Sequence, residues 1–196
     1  PYTTAMGLVL DTGDYERTLD RALARLGYEP FRRDQERARQ QGRYLGVGFS
    51  TWVEQCGFGP TAYMLPGFAP GGWEVATVRV EPGGKITVLT GVSPHGQGVA
   101  ATFARLTATE LGVAIEDVTV IHGDTDLVPR GVGTMSARSL AVGGSALLLS
   151  LRTLKEKVRL EPGLEVTSTF DPPNFTYPFG THVCVVEVEP STGEVK

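Results

Sequence analysis

Apolar positions recur at helical intervals along three parts of this chain and alternate with polar ones along much of what lies between. From Tyr15 to Leu26, the residues Tyr15, Leu19, Ala22, Leu23 and Leu26 share one helical face, with Asp14 placed to cap the start and Gly27 to end it. A second helix is expected from about Pro30 to Gln41, stopped by Gly42. Val99–Leu111 turns Val99, Phe103, Leu106 and Leu111 toward a core and meets a C-capping Gly112. The longest periodic run, from Ser136 to about Val158, carries Leu140, Leu147, Leu151 and Leu154. Within it, Gly143-Gly144 permits close packing at some cost in helix propensity.

Strand patterns fill the intervals. Arg43–Gln55 reads as one strand, with Gly46 and Gly48 as points of close approach. Trp73–Val80 and Lys85–Thr90 flank Glu81-Pro82-Gly83-Gly84 as a hairpin, and Asp117–Ile121, Glu165–Asp171 and Thr181–Glu189 complete the set. Five glycines and three prolines fall between Gly57 and Gly72, too many for regular structure. The expected fold is therefore α+β, mixed α and β, with twisted sheets carrying packed helices. The divisions are 1–56, a Gly/Pro-rich linker at 57–72, a segment at 73–158, and the start of a following sheet at 159–196. Pro190-Ser191-Thr192-Gly193 turns the chain back just before Lys196, an edge left unpaired, so the encoded protein is expected to continue with another strand.

Composition narrows the function classes. A chain of 196 residues with 41% hydrophobic content is neither disordered nor fibrous. Its net charge of −4 argues against nucleic acid as the main partner, and the basic run at Phe31–Arg39 is interleaved with acids, as on a solvated helix face. Cys56 and Cys184 are too few for an iron–sulfur centre and sit in apolar contexts that suit buried thiols. His95, His122 and His182 lack metal-ligand spacing. No apolar run is long enough to span a membrane and no signal-peptide pattern opens the chain, which makes a cytoplasmic location the default expectation.

The chemistry concentrates between Thr90 and Ser139. Ser93-Pro94-His95-Gly96-Gln97-Gly98 and Gly131-Val132-Gly133-Thr134-Met135-Ser136 are glycine-punctuated loops that each lead into a helical pattern, where unpaired N–H groups and the helix dipole favour an anion. Gly96 and Gly98 let backbone approach a ligand, and Gln97 can both donate and accept. Thr134, Ser136 and Ser139 supply hydroxyls, and Arg138 a charge partner. Between the loops, Asp124, Thr125 and Asp126 follow a strand. Two carboxylates repel phosphate but suit a donor-rich group such as the exocyclic amine of cytosine. Each motif also has an ordinary reading: a turn with a helix entry, an Asx-turn, or helix caps.

Taken together, Thr90–Gly98, Leu111-Gly112-Val113, Val120–Asp126 and Gly133–Ser139 resemble the molybdopterin-binding subunit of the xanthine dehydrogenase and aldehyde oxidase family. Within it they are most similar to the branch of aerobic carbon monoxide dehydrogenase large subunits. The likeness extends over nearly the whole chain, including Tyr2–Tyr15, Gly42–Gly59 and Phe175–Lys196. It implies a molybdenum cofactor-binding fold and a molybdopterin cofactor in its cytosine dinucleotide form. It also implies oxidation of an aldehyde, a heterocycle or carbon monoxide, with electrons leaving through an iron–sulfur small subunit and an FAD medium subunit in a hetero-oligomer. Gly96, Gln97 and Gly98 would lie near the pterin, and Asp124, Thr125, Asp126, Thr134, Ser136, Arg138 and Ser139 would hold its phosphates and nucleotide extension. The family's substrate-side loop lies upstream and its glutamate base downstream of these residues, so no catalytic residue and no metal ligand is assigned here, Glu54 included. Relatives carry a longer segment near Lys155–Pro162, and usually serine at position 137 and often glycine at 136, which displaces the expected hydroxyl by one position. The alternative from another class is a non-catalytic nucleotide- or phosphate-binding module or an assembly surface.

Overall fold

The alternation of Glu74-Val75-Ala76-Thr77-Val78-Arg79-Val80 organises the larger part of the molecule, because a strand shows alternate side chains to opposite faces. Glu74, Ala76, Val78 and Val80 are buried on one face, while Val75, Thr77 and Arg79 are only partly covered on the other. The structure, a computed structural model, describes residues 2–5, 7–11, 13–63, 71–128, 130–157 and 161–196. In chain order its elements are β1 (Tyr2–Thr3), β2 (Val9–Leu10), α1 (Tyr15–Leu26), α2 (Tyr28–Gln40), β3 (Tyr44–Val53), β4 (Glu74–Val80), β5 (Ile86–Thr90), α3 (Val99–Leu111), β6 (Val118–His122), a π-helical segment (Ser139–Gly144), α4 (Ser145–Lys155), β7 (Glu165–Phe170) and β8 (Phe179–Val188). This is the mixed helix and strand architecture expected. It divides into two units, one of residues 1–54 with 177–196 and the other of 55–176.

In the second unit the sheet order is β6-β5-β4-β7, with β5 and β6 parallel and the other pairs antiparallel. The α3 crossover joins the parallel pair, since parallel neighbours need a long connection. Val78, Val80, Ile86 and Val88 from the sheet pack with Phe103 from α3 and Leu147, Leu151 and Leu154 from α4 to form the core. Truncating a buried phenylalanine such as Phe103 costs about 3–5 kcal/mol in general. Glycines bracket α3 in the left-handed conformation, Gly98 at φ +77° and Gly112 at φ +71°, so the helix begins and ends where its sequence indicates.

Several expectations are corrected. The periodic run after Ser136 is not one α-helix: Ser136 and Ala137 have left-handed φ values of +44° and +50°, and helix begins only as the π turns at Ser139. Apolar periodicity cannot separate a π turn from an α turn this short. Residues 159–196 do not start a sheet of their own: β7 completes the four-stranded sheet, and β8 pairs with β3. The described ends of the 57–72 segment are hydrogen-bonded, the Gly57 N–H donating to the Ser136 carbonyl at 2.9 Å and the Gly72 N–H to Thr61 Oγ1 at 2.9 Å. Its central residues 64–70 lie outside the described residues, as do Val158 and Arg159. Asp14 occupies the cap position of α1 without making a side-chain cap bond. Cys184 is exposed, because the β3–β8 pair leaves part of its surface uncovered, whereas Cys56 is buried; neither forms a disulfide.

In the first unit, β3 and β8 pair antiparallel from Tyr44↔Val188 to Val53↔Phe179. Tyr15 of α1 meets Phe179 edge-on at 5.0 Å, and Tyr28 of α2 meets Phe49 at 5.7 Å. At one end Arg43 forks onto Glu187, Nε and Nη2 each donating at 2.8 Å to one carboxylate oxygen. The hydrogen bonds from Arg43, ahead of its charge, hold the Glu187 carboxyl below its ordinary value. A carboxyl lowered in the folded state adds stability above its unfolded pKa and loses it as pH falls through the folded one. Arg43→Gln is expected to raise the Glu187 midpoint in an NMR titration and to weaken this acid-side dependence. A midpoint that stays in place would show that the fork does not act on it.

Candidate functional site

The inward phase of β4 carries an acid to the core face, and the site is built around it. Glu74 and Arg138 are both fully buried, and Arg138 Nη1 donates to Glu74 Oε2 at 2.8 Å. The same oxygen accepts the N–H groups of Gly133 at 2.9 Å and Val132 at 3.2 Å, while Oε1 accepts that of Val75 at 3.0 Å. Arg138 further donates Nη1 to the Gly133 carbonyl at 2.5 Å and Nη2 to the carbonyls of Gly72 at 3.0 Å and Trp73 at 2.6 Å. Its Nε has no hydrogen-bond partner among the described residues. Buried charge is tolerated only when paired and hydrogen-bonded in this manner. Arg138 was expected to face a bound anion. The structure spends its guanidinium instead on holding the second glycine loop against β4.

Two further ties join that loop to the first. Thr134 Oγ1 donates to the Ser93 carbonyl at 2.7 Å and accepts the Ser93 N–H at 2.8 Å, and Ser139 Oγ donates to Thr134 Oγ1 at 3.1 Å. Gly91 and Gly131 meet backbone to backbone: a Cβ placed on Gly91 would lie 2.7 Å from the Gly131 Cα, and one on Gly131 would lie 2.6 Å from the Gly91 Cα. Beneath the loops, Val92 is fully buried, and a Cβ on Gly143 of the π segment would come within 2.9 Å of it. The double glycine at 143–144 is thus used for close packing, as its sequence suggests.

The loops border a cavity of about 470 Å³, lined by His95, Gln97, Thr102, Phe103, Thr134, Met135, Ser136, Ala137, Ser139 and Leu140, with Val99 at the start of α3. No carboxylate is among these residues. Gly96 and Gly98, at φ +97° and +77°, have open space where side chains would stand. Gln97 is exposed, and its Oε1 accepts the N–H of His95, which leaves the amide N–H groups directed by a local turn rather than by the core. The first N–H groups of α3 have no partner within the helix. Ser136 and Ala137 hold their left-handed conformations at the same cavity, each at a cost of about 1–3 kcal/mol for a non-glycine residue. The Ser136 carbonyl accepts the Gly57 N–H at 2.9 Å, which helps to fix it there. A glycine at 136 would suit that φ directly.

The acids lie elsewhere. Asp124 and Thr125 border a separate cavity of about 260 Å³ with Thr90, Gly91, Ser93, Arg130 and Gly131. Asp124 Oδ1 accepts the N–H groups of Asp126 at 3.0 Å and Leu127 at 3.2 Å, an Asx-turn, and Asp126 is exposed and borders neither cavity. The structure therefore brings Gln97, Thr134, Ser136 and Ser139 together and sets Asp124 and Thr125 apart. Ser93 borders one cavity and its partner Thr134 the other, so that hydrogen-bonded pair forms a shared wall. Among the described residues no group of three His, Cys, Asp or Glu could hold a metal ion.

Sequence reasoning passed over Glu74, although its signal was present: an acid in phase with Ala76, Val78 and Val80 on the apolar face of a strand. It also passed over the Gly91–Gly131 contact, for which the chain has no local signature, because the partners are forty residues apart. Glu54, left unassigned, is exposed beyond the end of β3.

Comparison with known proteins gives this geometry a context. A family model for a molybdopterin cofactor-binding domain matches residues 21–161. The carbon monoxide dehydrogenase large chain of Hydrogenophaga pseudoflava is 32% identical over 246 residues, covering 100% of this chain and 30% of that protein. The nicotine 6-hydroxylase large subunit of Paenarthrobacter nicotinovorans is 25% identical over 246 residues, again covering 100% and 30%. Among solved structures, carbon monoxide dehydrogenase from Oligotropha carboxidovorans superposes with a TM-score of 0.89 at 27% identity, covering 100% of this chain and 31% of that one. The chain thus spans about three tenths of the length of the curated relatives it matches. Among the described residues no helix is long and apolar enough to cross a membrane.

The Gly91–Gly131 contact makes a direct prediction. Gly91→Ala must push the two loops apart or displace Glu74, and is expected to cost about 1–3 kcal/mol, the usual range for overpacking. Urea unfolding of the variant measures this. A midpoint equal to that of the unaltered protein would show that the loops do not need their present spacing.

Proposed function

This chain belongs to the molybdopterin cofactor-binding domain family, and on that premise we propose that its paired glycine loops form part of the cofactor cradle of a molybdenum-dependent oxidoreductase. One observation carries the reading. The cavity of about 470 Å³ is bordered by a helix start, an amide side chain and four hydroxyl residues, with no carboxylate to repel phosphate. Those groups fit a large, phosphate-bearing heterocycle, and the open space over Gly96 and Gly98 leaves room for its approach.

When bound, the cofactor supplies the redox centre at which a small substrate gives up electrons and gains oxygen derived from water. The chain's own residues bind and orient it. Gln97, flanked by Gly96 and Gly98, would donate to the pterin. Ser136 and Ser139 offer hydroxyls, and Thr134 keeps the two loops in register. Arg138 serves as a positioning residue behind the loop, not as a phosphate ligand, because it is buried and already bonded. The substrate class is an aldehyde, a heterocycle or carbon monoxide. The working assembly is a cytoplasmic hetero-oligomer with an iron–sulfur small subunit and an FAD medium subunit, and the catalytic base is supplied from outside these residues.

We read the cofactor as the cytosine dinucleotide form. Asp126, exposed beside the Asp124 turn, is an acceptor of the kind that pairs with the exocyclic amine of cytosine, and Thr125 and Arg130 lie on the neighbouring cavity. A non-catalytic phosphate-binding module would share the loops but would carry no molybdenum.

Two measurements test these statements. In the complete complex, Gln97→Ala is expected to weaken cofactor retention roughly tenfold, the scale of one lost hydrogen bond to a charged or strongly polar group. Molybdenum content and turnover read the change, and unaltered values would remove Gln97 from the cradle. Acid hydrolysis of the same complex is expected to release a cytidine nucleotide, with less retained by Asp126→Ala; release of an adenine nucleotide, or of none, would overturn the cytosine assignment.

A further inference from the structure

Glu74 is a fully bonded acid in the second unit that the proposed cofactor contacts leave unused. It is a fully buried carboxylate that borders neither cavity, yet it bonds the loop that borders the larger one. We propose that Glu74 is a positioning residue for the bound cofactor. By accepting the N–H groups of Val132 and Gly133, it fixes the second glycine loop in its binding conformation before any ligand arrives. The inference rests on the cradle reading above and deepens it.

The geometry separates two roles open to the Glu74–Arg138 pair. As a charge pair it neutralises itself, and replacing both partners with apolar residues of similar volume is often neutral for stability. As an acceptor, however, Glu74 does something that no apolar residue can do. Val132 and Gly133 lie two and one residues before Thr134, which bonds the first loop, and four and three residues before Ser136, which holds a left-handed φ of +44° at the cavity. Without the acceptor those two N–H groups lose their partner in the protein, and the turn at Ser136 and Ala137 loses the restraint that offsets its strain. A loop that must be ordered at the moment of binding lowers affinity by the cost of ordering it. What the loop requires of position 74 is therefore the acceptor oxygen, not the charge.

Two double variants of the full-length subunit in its complex distinguish these roles. E74L/R138M removes both charges and the acceptor, whereas E74Q/R138M removes both charges but keeps a carbonyl oxygen at position 74. Amide hydrogen exchange at Val132 and Gly133 is measured in cofactor-free protein, and the pterin and molybdenum retained after dilution are measured in loaded protein. The leucine variant is expected to exchange these two amides rapidly and to lose cofactor about tenfold or more faster, the scale on which supporting partners of a bound group matter. The glutamine variant is expected to restore both. Equal behaviour of the two variants would assign the effect to charge or packing and overturn the proposal. Fast exchange of the two amides in the unaltered protein would overturn it without any variant, including the case in which the leucine form does not fold. If the unaltered complex carries no pterin, the cradle reading fails, while the exchange data still report whether the clamp exists.

Discussion

The organisation of the second unit depends on a buried carboxylate meeting a buried guanidinium. Glu74 enters from the first position of β4 and Arg138 from just before the π segment, so the bond between them fixes an inner strand of the sheet, a loop and a helix start at one point. Removing one member of such a pair leaves an uncompensated charge away from water, typically at a cost of about 3–5 kcal/mol. That scale is a large fraction of the stability of a single domain. The glycine loop is therefore not free to drift with the identity of the ligand, and its shape belongs to the core.

The sequence was a good guide where one short-range rule decides the outcome. The α3 helix runs over Val99–Leu111 because apolar spacing, a preceding glycine and a following glycine all agree. The α1 helix and the β4–β5 hairpin were readable for the same reason. It was a poorer guide where partners are distant. That Arg138 turns inward follows from Glu74, sixty-four residues earlier, and nothing beside Arg138 in the chain announces it. Likewise the pairing of β8 with β3 joins opposite ends of the chain, and alternation alone says that a strand exists but not where it goes. Among the candidate site residues, Gln97, Thr134, Ser136 and Ser139 were singled out because their types suit a polar ligand, and the structure sets them around one cavity. Glu74 was legible too, but only to a reading that treats an acid on an apolar face as a signal.

The separation of the two cavities sorts neutral from charged polar chemistry. Amide and hydroxyl groups border the larger cavity, whereas the carboxylate of Asp124 and the guanidinium of Arg130 border the smaller one. The hydrogen-bonded Ser93–Thr134 pair stands between these two surfaces. Arg130 also lies over the Trp73 ring at 5.3 Å, which ties this side chain to the segment that Arg138 grips from behind.

The π segment at Ser139–Gly144 uncouples the azimuth of one half of its helix from that of the other. At its start, Ser139 and Leu140 line the larger cavity; after it, Leu147, Leu151 and Leu154 pack into the core against the sheet. A π turn holds one more residue than an α turn, and each residue of an α-helix is rotated about 100° from the last. Deleting a single residue there would restore a regular helix, but would swing either the cavity face or the core face by about that angle. The irregular turn is thus a phase shift, letting one rod obey two surfaces whose directions no uniform winding could satisfy together.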